Sequence, residues 1–172
     1  MKSIIQNLFA AMLMLAANTV NIMAQENLTK NNIVMKENLN LTQEWDKTFP
    51  KSDKVNHSKV TFTNRYGITL AADLYIPKEA TGKLPAIAVC GPFGAVKEQA
   101  GGLYAQTMAE RGFLTLAFDP SYTGESGGMP RYTVSPDINT EDFSAAVDFL
   151  ATDERVDPER IGIIGICGWG GL

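Results

Sequence analysis

The stretch Ile161-Gly162-Ile163-Ile164-Gly165-Ile166-Cys167-Gly168-Trp169-Gly170-Gly171 decides the fold. Its first six residues are apolar on both faces of an extended chain. That is the pattern of a strand in a parallel sheet covered by helices on both sides. The strand then runs directly into a cysteine flanked by small residues. A nucleophile that leaves a strand on a sharp turn needs such neighbours, because bulky ones would collide with the strand and the following helix. The turn lifts the side chain above the sheet at a helix start. There backbone N–H groups and the helix dipole favour a thiolate or an oxyanion. The stretch is read as a nucleophile elbow with Cys167 as the nucleophile. The alternative is an inert buried cysteine, packed like a small apolar residue. The usual elbow has glycine two residues after the nucleophile, whereas here Trp169 stands there with Gly170 behind it.

Two similar apolar runs precede it, at residues 86–90 and 113–118. Helical patterns lie between the runs. Residues 99–111 pair Tyr104 with Met108 and end at Gly112, a natural C-cap. In the second helix Phe143, Ala146, Val147 and Leu150 take the i, i+3, i+4, i+7 spacing of one buried face. Asn139 or Thr140 is expected to cap it, with Glu141 and Asp142 at the positive end of its dipole. Ahead of these, Asn64-Arg65-Tyr66-Gly67 supplies a turn after a short alternating run. Ile68, Leu70, Ala72, Leu74 and Ile76 then alternate with Thr69, Ala71, Asp73 and Tyr75 until Pro77, predicting a hairpin whose second strand buries one face. The fold class is α/β, with an N-terminal hairpin followed by parallel strands and crossover helices.

The elbow, the loop Cys90-Gly91-Pro92-Phe93-Gly94 and the loop Asp119-Pro120-Ser121-Tyr122-Thr123-Gly124-Glu125-Ser126-Gly127-Gly128 together resemble the α/β-hydrolase superfamily. The cysteine at the elbow and Lys97-Glu98-Gln99 resemble its dienelactone-hydrolase-like bacterial hydrolases. The resemblance covers residues 58–172, about the first half of such a domain. It implies an oxyanion hole made by the N–H after the nucleophile, that of Gly168, and by one from the loop after the third strand. Pro92 has no N–H, so Phe93 is the expected second donor, with Gly94 behind it. Gly124-Glu125-Ser126-Gly127-Gly128 also fits the Gly-x-Ser-x-Gly pattern. Met129-Pro130 follows it instead of a helix, so Ser126 is read as part of a loop that shapes the edge of the site. Glu98 is either a helper carboxylate or a first-turn acid favoured by the helix dipole.

The resemblance also implies that the acid and the histidine follow the nucleophile in chain order. The one histidine, His57, is expected ahead of the first strand and in solvent. A triad therefore does not assemble from these residues, and the chain is expected to be the N-terminal half of the fold, catalytically incomplete. The implied activity is hydrolysis of an ester, lactone or related acyl bond through Cys167, on a small-molecule or peptide acyl substrate. The alternatives are a peptidase of the same fold and a non-catalytic binding protein in which Trp169 blocks the hole. Neither a cofactor nor a metal is expected. A dinucleotide-binding reading of the terminal glycines does not fit, since Gly-x-Gly-x-x-Gly belongs after the first strand of its unit. Because the third and fifth strands are neighbours in the superfamily's sheet, Cys90 and Cys167 are expected at one rim, bridged or as two free thiols.

The N-terminus differs from the rest. Lys2 precedes an apolar stretch over residues 8–17 that is short for a membrane span, and Met23-Ala24-Gln25 offers a small residue at a cleavage point. Residues 1–24 are read as a secretory signal peptide and 25–55 as a polar, loosely packed lead-in. Residues 56–172 are read as the partial hydrolase domain, in an exported, periplasmic or secreted protein. No cysteine follows the apolar stretch to carry a lipid, so no stable membrane insertion is expected after cleavage. The net charge of −4 and the lack of a basic cluster exclude a nucleic-acid role.

Overall fold

Asn64 makes the first turn of the domain: its Oδ1 accepts from the N–H groups of Tyr66 and Ile68, both at 3.0 Å. In this computed structural model, which describes residues 37–171, the turn joins β1 (Val55–Thr63) to β2 (Thr69–Pro77). The two strands pair antiparallel, with Val55 opposite Pro77 and Thr63 opposite Thr69. The signal peptide expected at residues 1–24 lies outside the described residues, as does the first part of the lead-in. After the hairpin come β3 (Leu84–Cys90), α1 (Ala100–Ala109), β4 (Leu114–Phe118), α2 (Pro136–Ala151) and β5 (Val156–Gly165), followed by a 3₁₀ turn (Cys167–Gly171). The strands form one sheet in the order β1-β2-β4-β3-β5, with β3 parallel to both β4 and β5 and β2 antiparallel to β4. The α/β class and the order of elements agree with the sequence reading.

One face of the sheet packs Leu70, Leu74, Leu116 and Phe118 against Phe143, Ala146 and Leu150 of α2. The other face packs Tyr75, Val89 and Ala117 against Ala105 and Ala109 of α1. Three local expectations are corrected. The second hairpin strand is buried on both faces, Asp73 and Tyr75 included, because α1 and the lead-in cover the second face: Tyr75 packs with Ala105, Ala109 and Trp45, and the Lys47 ammonium meets Asp73 at 3.0 Å. α1 does not bury Tyr104, which is 52% exposed; it packs through Gly101, Gly102, Ala105 and Ala109, small residues that let helix and sheet approach closely, together with Gln106. α2 starts a turn earlier than expected, at Pro136, whose missing N–H costs nothing there. Asn139 then lies within the helix and accepts the Ser135 N–H on its Oδ1 at 2.9 Å. Asp142 is fully buried and takes four donors, from Asn64, Ser121 (twice) and Asn139, which ties α2 to the turn between β1 and β2 and to the loop after β4.

From Glu37 onward the lead-in is docked rather than loosely packed. Phe49 is buried, the Ser52 N–H meets Gln106 Oε1 at 3.1 Å, and Gln106 Nε2 donates to the Pro50 carbonyl at 3.0 Å. No helix among the described residues is long and apolar enough to cross a membrane.

Candidate active site

β5 runs beside β3 with Gly165 opposite Cys90, and the Ile166 N–H donates to the Cys90 carbonyl at 3.2 Å. The next residue breaks away. Cys167 has φ 61°, the left-handed region that costs a side-chain-bearing residue of order 1 kcal/mol or more. Such strain in a non-glycine residue is what an elbow demands, because the left-handed step turns the chain off the strand and presents the side chain. The thiol is exposed at the start of the 3₁₀ turn. Two glycines make the geometry possible. A Cβ on Gly165 would overlap the Trp169 carbonyl, and one on Gly168 would overlap the Phe93 ring.

Trp169 does not cover the thiol. It is buried among core residues, with its ring 4.5 Å from Phe93 in a T-shaped contact and 6.3 Å from Phe143. The alternative in which its bulk blocks the hole finds no support in this placement: the indole fills the core between the elbow and α2. Phe93 is 45% exposed and lies against Gly168, so the structure brings the loop after β3 to the elbow. That loop is tightened by the Ala95 N–H donating to the Pro92 carbonyl at 3.0 Å and by Gly94 at φ 77°. Cys90 and Cys167 do lie at one rim, but both are free. Burial, together with nearby Asp119 and Asp142, pushes the Cys90 thiol well above its usual range, which disfavours the reactive thiolate.

The remaining residues singled out in the sequence fall as follows. Ser126 is buried and locked, its Oγ accepting from the Ala71 N–H at 2.8 Å and donating to the Asp119 carbonyl at 2.7 Å. It is structural, as its context indicated. His57 is not ahead of the first strand or in solvent: it lies in β1, with Nε2 2.7 Å from the buried Asp73 carboxylate. β1 is separated from β5 by β2, β4 and β3, so this imidazole does not reach Cys167. Glu98 is not a first-turn acid of α1, which starts at Ala100, nor a neighbour of the thiol; it belongs to an ionic lattice.

That lattice is the feature sequence reasoning missed. Lys97 has a completely buried side chain, with Nζ 2.8 Å from Asp119, 2.7 Å from Glu125 and 2.5 Å from Glu98. Lys59 of β1 adds contacts to Glu125 at 2.6 Å, Asp46 at 2.9 Å and Glu98 at 3.4 Å. Burial alone would lower the Lys97 ammonium, but the Asp119 carboxylate and its hydrogen bonds leave it above an ordinary lysine. Burial works against the Glu125 charge too, yet bonds from Lys59 and Lys97 bring its carboxyl down to about 2. Asp46, held by Lys47 and Lys59 against its own desolvation, also lies at about 2. The carboxylates of Asp46, Glu98 and Glu125 stand close enough together to hold a metal ion, but the Lys59 ammonium contacts all three and supplies the cation itself. A sequence shows two lysines and four acids spread over 80 residues, with no spacing that joins them.

An exposed cysteine in a left-handed turn at the end of the fifth strand, beside a glycine-rich loop after the third, is the arrangement of an α/β-hydrolase. Residues 66–172 match the family described as X-Pro dipeptidyl-peptidase (S15 family). The chain belongs to that family. The chain is 76% identical over 135 residues to the uncharacterized protein PA2218 of Pseudomonas aeruginosa, covering 78% of this chain and 36% of that protein. The crystal structure of that protein matches with a TM-score of 0.77 over 78% of this chain and 42% of the other. The thiohydrolase aneE of Aspergillus aculeatus is 38% identical over 115 residues, 67% of this chain and 35% of that protein. A dienelactone hydrolase-like promiscuous phosphotriesterase from metagenomic libraries shares the fold, with a TM-score of 0.53 at 21% identity over 68% of this chain and 51% of the other. This member of the S15 family thus spans little more than a third of the curated relatives it matches. Its fold is that of the α/β-hydrolase superfamily, dienelactone-hydrolase-like, and hydrolase-type.

Proposed function

We propose that the chain is part of a hydrolase that opens an ester, lactone or thioester by attack of Cys167 on the acyl carbon. The observation that carries this reading is the exposed Cys167 in a left-handed turn directly after β5. In it the N–H groups of Gly168 and Phe93 stabilise the tetrahedral oxyanion, and the contact of the Phe93 ring with Gly168 supports that pairing. The likeness to a thiohydrolase favours an acyl thioester among the substrates. Turnover needs a general base. The single histidine is held on β1 by Asp73, so the base and its carboxylate partner are to come from residues other than these 172. Export directed by residues 1–24 belongs to the same proposal, and cleavage after Ala24 in a secreting host is its check.

The test is stoichiometric acylation. Incubated with p-nitrophenyl acetate, the 172-residue chain should release about one equivalent of nitrophenol per chain without sustained turnover, following the single-acylation logic of covalent catalysis. Mass analysis should place one acetyl group on Cys167, and Cys167→Ala should lose it. Acylation elsewhere, or sustained turnover, overturns the reading. The S15 match favours a second reading, a peptidase. Its mark would be cleavage of an X-Pro aryl amide with the acyl group carried on Cys167.

A further inference from the structure

We propose that Lys97 is a positioning residue for the loop that carries Phe93, holding that residue's N–H at the height the Cys167 oxyanion needs. The inference rests on the reading of Cys167 as an acyl-accepting nucleophile.

Residues 91–99 connect β3 to α1. At the near end Phe93 lies on Gly168 and Trp169 of the elbow. At the far end Lys97 is fixed twice to one carboxylate: its backbone N–H donates to Asp119 Oδ1 at 2.7 Å and its Nζ to Asp119 Oδ2 at 2.8 Å. Two attachments from one residue to one planar group leave its backbone neither slide nor rotation. Asp119 is in turn held at the end of β4, taking the Glu125 N–H on Oδ2 at 3.0 Å. A loop lysine gains nothing by losing its water unless its place matters, since desolvating an ion pair offsets most of its attraction. Only Gly94, Ala95 and Val96 separate the two ends, so a displacement at Lys97 is passed to Phe93 with little slack. Donors to an oxyanion act over a few tenths of an ångström, which makes the height of this loop a rate-controlling quantity. Lys97 touches no reacting atom; it acts through Phe93.

A purely structural role would move every property of Cys167 together, so the experiment compares two reactions of the same thiol. Acylation by phenyl thioacetate passes through an oxyanion: the Cys167 Sγ–C bond forms, the C–S bond to the phenyl thiolate breaks, and the thiol proton goes to water. Alkylation by iodoacetamide forms the Sγ–C bond and expels iodide with no oxyanion. Both are read at Cys167 by peptide mass in the full chain. In Lys97→Met the ratio of acylation to alkylation rates should fall roughly tenfold, the scale of a partly misplaced oxyanion donor. Lys97→Arg should recover part of it, and Lys59→Met, in the same lattice but outside the loop, should leave the ratio within about twofold of wild type. Should Lys97→Met fail to fold, Asp119→Asn, which keeps the shape of the carboxylate, carries the same comparison. A ratio unchanged in folded Lys97→Met or Asp119→Asn overturns this inference alone. An equal fall in Lys59→Met overturns it by showing a general effect of the lattice. No acylation of Cys167 in the wild type overturns the proposed function and this inference with it.

Discussion

Cys167 and Cys90 sit at the ends of neighbouring strands yet differ in every property that governs thiol chemistry. Cys167 is exposed on a left-handed turn; Cys90 is 1% exposed beneath the sheet's rim, with its pKa pushed up by burial. The thiolate is the reacting form, so a thiol both hidden and hard to ionise reacts slowly. Ellman titration of the native, unreduced chain should find one fast thiol, with the second appearing only on unfolding. Two fast thiols, or one in total, would contradict the placement. Gly165 is the other residue whose identity the elbow needs, because its missing Cβ leaves room for the Trp169 carbonyl. Backbone cannot step aside as a side chain does. Gly165→Ala should cost about 1–3 kcal/mol in a urea melt, as an overpacked site does.

At the scale of elements, buried charge and not apolar contact alone joins the loop after β3, the loop after β4, β1 and the lead-in. Removing one member of the Lys97–Asp119 pair leaves the other charged and dry. Lys97→Met should therefore lower stability by about 3–5 kcal/mol, much more than an exposed ion pair such as Arg155–Asp153 would, measured by denaturant unfolding. The same lattice sets an acid dependence whose sign follows from Glu125 and Asp46, its two carboxyls held below their ordinary range. Glu125 and Asp46 lie at about 2 in the folded chain, below the ordinary 4.5 and 3.8, so the unfolded chain takes up protons first as pH falls. Their contribution is complete above about pH 5 and fades from there down to about pH 2. Melting temperature should be flat from about pH 5 to 7 and fall below that window, and Glu125→Gln should flatten the fall. A wild-type curve level down to pH 3 would refute the assignment.

For the whole molecule, the side of the sheet that bears the elbow governs behaviour in solution. Among the described residues β5 pairs only with β3 and shows Ile163 57% exposed. Beside it a groove of about 370 Å³ is lined by Phe143, Val147, Ile163 and Trp169, whose buried Nε1 has no partner among the described residues. An apolar strand with a free edge pairs with other chains. The 172-residue chain should self-associate in sizing chromatography, and Ile163→Lys should shift it toward monomer; a wild-type monomer across micromolar concentrations would count against this.

Much of the architecture was legible in the residues themselves. Runs apolar on both faces can only be strands covered on both sides, and a glycine-flanked cysteine after such a run has few conformations open to it, so the α/β order and the elbow at Cys167 follow from local pattern. Where the pattern depends on what lies across space, the sequence is silent. Asp73 and Tyr75 look like a wet face until α1 and the lead-in bury them; Trp169 looks like an obstruction until the core receives it; His57 looks solvated until Asp73 takes it. Lys97 stands in a stretch that carries the family resemblance, yet nothing in it announces burial, because a buried ion pair is defined by the carboxylate that meets it, and Asp119 lies 22 residues away. Period and local turn chemistry are encoded in neighbours along the chain, while desolvation is decided only when distant segments close over one another.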